Sequence, residues 1–151
     1  MKILVGVNVL TSVESGPYGN HCKFWYELGK LQKDLFLEPI FMTPPRMSID
    51  RMRNECARIA LYNECDYLMF IDDDVILPPN CFETLLTRFD PNVGLVAGLV
   101  HIRSYPFKPM IFKKYRDEQD RIVLKTFDDF KDYQDSLGLV ECDAEIGRAH
   151  V

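Results

Sequence analysis

Asp66-Tyr67-Leu68-Met69-Phe70-Ile71-Asp72-Asp73-Asp74-Val75 decides how the rest of the chain is read. The apolar run Tyr67 to Ile71 has the length of a buried strand and stops in three adjacent carboxylates. Pro78 and Pro79 then punctuate the chain before the next apolar segment. In open α/β sheets, ligands bind beyond the carboxyl ends of the strands. Strand alternation puts Asp72 and Asp74 on one side and Asp73 on the other. Two carboxylates on one side can share a hard divalent cation, and that cation can hold a phosphate. An Asp run on a surface loop ordinarily serves a turn. Three acids placed directly after a strongly apolar strand instead repel one another unless a cation or a basic group neutralises them.

Working outward, Lys2 to Val9 is a continuous apolar run suited to a central parallel strand. Thr11 to Asn20 is rich in Ser, Gly and Pro and predicts a loop, with Asn20 capping a helix from His21 to Lys33. Leu35 to Met42 is a second strand, ended by Thr43-Pro44-Pro45. Ser48 is placed to cap a second helix reaching Glu64, with Ile49, Met52, Cys56, Ile59 and Ala60 as its buried stripe. Beyond the triplet, Asn80 to Phe89 is a third helix and Val93 to His101 a fourth buried strand. The order β-α-β-α-β-α-β predicts an α/β fold, a mostly parallel central sheet with helices on both faces. The later chain changes character. Met110 to Tyr115 and Arg121 to Phe127 are two short strands around a polar turn, residues 128–136 are weakly helical, and Leu137 to Asp143 is a further strand.

With 47% apolar residues, the 151-residue chain can bury a proper core. A formal charge of −5 without a basic stripe argues against a dedicated nucleic-acid binder. The five cysteines are scattered, with no CxxC and no Cys/His pair at zinc spacing. Reduced thiols and a cytoplasmic location are therefore expected. No stretch reaches the ~18 apolar residues of a membrane span.

Two further groups of residues bear chemistry. Arg46 lies in the loop before the second helix, and Arg51, Arg53 and Asn54 lie on it. Arginine offers a planar, permanently charged fork for phosphate, and a helix N-terminus favours anions. The same residues would also serve as a solvated face paired with Asp50. Asp143 follows the apolar segment Leu137 to Val140 and could act as a base or bind an acceptor hydroxyl. His21 reads as a helix-start residue, and His101 as a strand-end residue that is either structural or ligand-facing.

The strand order, Arg53-Asn54 on the second helix, and Asp66-Tyr67-Leu68-Met69-Phe70-Ile71-Asp72-Asp73-Asp74 together resemble GT-A-fold glycosyltransferases of the large family-2 type. The resemblance runs from Lys2 to Asp143, with its specific part between Arg53 and Pro79. It implies a nucleotide-diphosphosugar-binding domain over residues 1–144, a UDP- or GDP-sugar donor, and Mn²⁺ or Mg²⁺. It implies Asp74 as metal ligand, Asp72 at the ribose or the metal's water shell, and Asp73 assisting. Arg51, Arg53 and Asn54 would bind the donor, and Asp143 would be the base that deprotonates an acceptor on a glycan, lipid or protein. Where that family often carries an acidic residue after its second strand, this chain has Met42-Thr43-Pro44-Pro45. Two alternatives are a sugar-nucleotidyltransferase or other metal-dependent phosphotransfer enzyme, and a non-catalytic nucleotide- or carbohydrate-binding domain. Gly16-Pro17-Tyr18-Gly19-Asn20 matches a nucleotidyltransferase loop poorly.

The terminal Glu145-Ile146-Gly147-Arg148-Ala149-His150-Val151 reads as GAG ATC GGA AGA GCA CAC GTC, a common sequencing adapter. Residues 145–151 are therefore expected to be a non-native tail, and His150 is not taken as a ligand. Resequencing the source clone checks this: a natural stop codon after Val151 with no adapter rules it out.

Overall fold

The computed structural model describes residues 1–9, 15–34, 36–45, 47–89, 92, 94–101, 105, 108–126, 141–145 and 149–150. The chain divides into two compact units, Met1–Val96 with Arg148–Val151, and Ala97–Gly147.

The first unit is α/β. In chain order it has β1 (Lys2–Asn8), α1 (Ser15–Asp34), β2 (Glu38–Met42), α2 (Ile49–Tyr62), β3 (Tyr67–Asp72) and α3 (Cys81–Thr87). β1 lies between β2 and β3 and is parallel to both. Burial on both faces explains why β1 reads as an unbroken apolar run rather than an alternating one. Its odd-numbered residues Ile3, Val5 and Val7 join Met69 and Ile71 of β3, Phe24 and Leu28 of α1, and Phe82 and Leu85 of α3. Leu4 joins Cys56 and Ala60 of α2 on the other face, with Leu68 and Phe70 packed against them. The helices thus cover both faces of a three-stranded parallel sheet, and the period-2 side-chain alternation sorts the residues between the two cores.

Gly6 permits the close approach of α2. A Cβ at this position would fall 2.6 Å from Cys56 Sγ and 3.3 Å from Cys56 Cβ. α2 ends with Glu64 in the left-handed region (φ 54°), while the Cys65 N–H donates to the Ala60 carbonyl at 2.9 Å. The chain can then turn directly into β3.

Several boundaries differ from the sequence expectation. α1 begins at Ser15, so Gly16, Pro17 and Gly19 lie in its first turns rather than in a loop. Proline is tolerated there because its missing N–H would have no intrahelical partner. Asn20 is consequently a helix residue and not a cap. Ser48 occupies the N-cap position of α2, but its hydroxyl makes no cap bond. The expected fourth strand over Val93 to His101 is absent from the described residues, which show only isolated bridges at Ala97 and His101. Gly94 and Gly98 contribute no side chains to a sheet face, and Leu95 and Leu99 remain exposed. Ala149–His150 (β7) instead pairs antiparallel with β3, opposite Phe70 and Ile71.

In the second unit, β4 (Ile111–Arg116) and β5 (Ile122–Thr126) form the antiparallel pair expected around the polar turn. Asp117 holds that turn: its carboxylate accepts from the Gln119 and Arg121 N–H groups at 2.9 Å each. β6 (Ala144–Glu145) pairs with the start of β4. The polar, at best weakly helical stretch 128–136 and the expected strand residues 137–140 lie outside the described residues, as does Arg46.

Candidate functional site

The α2 face of the sheet changes from apolar to polar at the carboxyl ends of the strands. On β1 the order is Leu4, Gly6, Asn8, and on β3 it is Leu68, Phe70, Asp72, with Asn8 opposite Asp72 in register. Arg53 lies one turn before Cys56 on α2 and so reaches this polar end. Its guanidinium stands 3.5 Å from Asp72 Oδ1 and 5.8 Å from the centre of the Phe70 ring. The side chains of Arg53 and Asp72 are 35% and 20% exposed, so water only partly screens the pair.

Asn8 is fully buried, at 0% exposure, and among the described residues neither its amide nitrogen nor its carbonyl oxygen has a hydrogen-bond partner. Arg53 Nε is a third buried polar atom without a partner. An unsatisfied buried group costs about 1–3 kcal/mol, a cost that a polar partner reaching these atoms would remove. Sequence reading passed over Asn8. The available signal was a lone polar residue ending an otherwise apolar central strand.

Burial pushes the Asp72 carboxyl above its usual range. The charge of Arg53 and the adjacent Asn8 amide pull it back, and nearby Asp74 pushes it up again. Asn8 lies close enough to favour the ionised carboxylate, but its geometry falls short of a true hydrogen bond. β3 ends at Asp72, so Asp73 and Asp74 form a turn and strand alternation does not extend to them. The Asp74 charge acts on Asp72 all the same, and all three carboxylates are half-buried.

The raised pKa has a consequence for stability in metal-free protein. Asp72 binds its proton more tightly in the folded chain than in the unfolded one. Its favourable contribution is complete below the unfolded value of about 3.9 and is lost as pH rises through the raised folded value. Asp72→Asn should therefore raise Tm at pH 7, with the gain shrinking to nothing below about pH 4. An unchanged or lowered Tm at pH 7 would contradict this account of the site.

The other sequence candidates are placed as follows. Arg51 and Asn54 are exposed on α2, and among the described residues Arg53 is the one of the three that reaches Asp72. Asp143 belongs to the second unit, where its Oδ2 accepts the Lys114 N–H at 2.9 Å and its own N–H donates to the Phe112 carbonyl at 3.0 Å. His101 is exposed and bridges to Pro109. His21 is buried on α1 against the backbone that follows the triplet.

Among the described residues, no three His, Cys, Asp or Glu side chains converge as a preformed metal cage. The donor set suits a different kind of site. A small hard cation is commonly held by one or two carboxylates, with a substrate's phosphates and water filling the remaining positions. Asp72 and Asp74 are two carboxylates of that type, close enough for the charge of Asp74 to act on Asp72, and Arg53 stands beside Asp72. Among the described residues, no helix is long and apolar enough to cross a membrane. No protein-family model matches the chain, and neither the curated proteins nor the solved structures offer a match.

Proposed function

We propose that the chain is a glycosyltransferase of GT-A architecture, or the nucleotide-binding part of one. It transfers a sugar from a UDP- or GDP-sugar to an acceptor hydroxyl, with a divalent metal at Asp72 and Asp74. The observation that carries this proposal is the polar cluster of the buried Asn8 with the half-buried Arg53 and Asp72 at the carboxyl ends of parallel strands, three of whose polar atoms have no hydrogen-bond partner among the described residues. Packing alone gives no reason to bury an asparagine there, whereas a polar ligand does.

Asp72 and Asp74 would hold Mn²⁺ or Mg²⁺, both of which take carboxylate oxygen readily. Held there, such a metal would supply charge neutralisation for a departing diphosphate. Arg53, already poised beside Asp72, adds a permanent positive charge for a phosphate oxygen. Arg51 and Asn54, exposed on the same helix, extend the donor contact. The base role that the resemblance implies for Asp143 stays a proposal for the second unit, where the Lys114 N–H donates to its Oδ2.

Isothermal titration with UDP and with GDP, each with and without Mn²⁺, tests the proposal. Metal-dependent binding of at least one of them is expected. Binding of neither in the presence of Mn²⁺ would overturn it.

A further inference from the structure

The Asp73–Asp74 turn is held from both sides, and one of the two holds comes from a distant helix. On its N-terminal side, Asp72 is paired in the parallel sheet with Asn8. On its C-terminal side, residues 75–78 form no helix or strand, so their backbone groups must bond elsewhere. The Val75 N–H closes the turn on the Asp72 carbonyl at 3.3 Å, the Pro78 carbonyl accepts from the Cys81 N–H at 3.2 Å, and α1 supplies partners for the Val75 carbonyl and for Leu77. The Asn20 amide grips Leu77 at two points: the Leu77 N–H donates to Asn20 Oδ1 at 2.7 Å, and Asn20 Nδ2 donates to the Leu77 carbonyl at 2.9 Å. His21 Nε2 lies 2.9 Å from the Val75 carbonyl. A carbonyl only accepts, so Nε2 carries the proton.

These bonds are sheltered. Leu77 is 4% exposed and His21 is 4% exposed. The helix that bears the two side chains is itself seated on the sheet through Phe24 and Leu28, in the same apolar cluster as Leu77, Ile3, Val5 and Val7. The grip therefore ties the loop to the rigid core rather than to another loop. It also spans 54 residues for His21–Val75 and 57 for Asn20–Leu77, so local sequence does not produce it.

We propose that Asn20 and His21 are positioning residues for the acidic turn, holding Asp74 close to Asp72 against the repulsion of their like charges so that the pair is ready for a divalent cation. This rests on the assignment of Asp72 and Asp74 as the metal-holding pair. Beside Asp72 the wholly buried Asn8 side chain has no hydrogen-bond partner among the described residues, which points to a polar ligand at that strand end. A carboxylate pair held in place before the cation arrives need not be ordered on binding. If the grip is lost, that ordering must be supplied from the binding free energy.

The test measures Mn²⁺ affinity in the presence of saturating UDP or GDP for wild type, His21→Ala, His21→Gln and Asn20→Ala. His21→Ala and Asn20→Ala should each weaken Mn²⁺ binding about tenfold or more, as loss of an outer partner of a metal ligand commonly does. His21→Gln, whose amide nitrogen can take the place of Nε2, should recover most of that loss. A purely structural role predicts something else: lower Tm in His21→Ala, with Mn²⁺ affinity at 10 °C equal to wild type. That outcome would overturn the positioning role. Absence of any Mn²⁺ binding to the wild type would instead count against the metal assignment itself, so the two failures are distinguishable. Should Asn20→Ala not fold, the His21→Ala and His21→Gln pair decides by the same readout. Amide exchange in the wild type adds an independent check: the Leu77 N–H should exchange more slowly than the Ile76 N–H, and equal rates would show that Asn20 does not hold it.

Discussion

Asp74→Ala is expected to reduce UDP or GDP binding in Mn²⁺ to the level seen without metal, while circular dichroism and Tm stay close to those of the wild type. Asp74 lies past the end of β3 in a two-residue turn, outside the strand pairing of the sheet. Its charge is felt at Asp72, where it works against ionisation. Removing it takes that charge away from Asp72 and deletes half of the proposed carboxylate pair. Stability and binding should therefore move independently, which is the mark of a site residue rather than a structural one. Unchanged nucleotide affinity in Asp74→Ala would refute the metal assignment. Joint loss of binding and fold would show that Asp74 is structural.

Gly6→Ala is expected to destabilise the first unit by about 1–3 kcal/mol, the usual cost of overpacking a close-packed core. For a chain of this size that corresponds to a fall in Tm of roughly 2–12 °C. The added methyl carbon would sit 2.6 Å from Cys56 Sγ, and Cys56 is fully buried, so it has no space into which to withdraw. β1 is the central strand of its parallel sheet, and α2 also carries Arg53, so any retreat of the helix would draw the guanidinium away from Asp72. A loss of nucleotide affinity should accompany the loss of stability. Cys56→Ala in the same chain removes the sulfur and leaves the 3.3 Å carbon contact, which a small shift can absorb. The double variant should then recover part of the Tm lost by Gly6→Ala. If Gly6→Ala melts with the wild type, α2 does not pack as closely as described.

How much of this was legible in the sequence varied by element. β1, β2, α2, β3, α3 and the β4–β5 pair follow from apolar runs and helical stripes that mark buried faces directly. The start of α1 did not, because Gly16, Pro17 and Gly19 signal a loop locally while packing of the following turns carries the helix back over them. Val93 to His101 failed in the opposite sense. Its composition suits a strand, but a strand exists only where a neighbour pairs with it, and composition does not name the neighbour.

The chain's sequence by itself determined that a buried strand ends in Asp72-Asp73-Asp74 and that Arg53 lies on the preceding helix, since both follow from local order along the chain. It also determined the α/β class, through the alternation of buried strands with amphipathic helices. The tertiary structure alone decided which of these residues meet. It placed Asn8 beside Asp72 through the β1–β3 register, brought Arg53 and not Arg51 or Asn54 to the carboxylate, and set Asn20 and His21 of α1 against Val75 and Leu77. The physical reason is that register and helix seating are set by close packing between segments distant in sequence, as at Gly6 against Cys56.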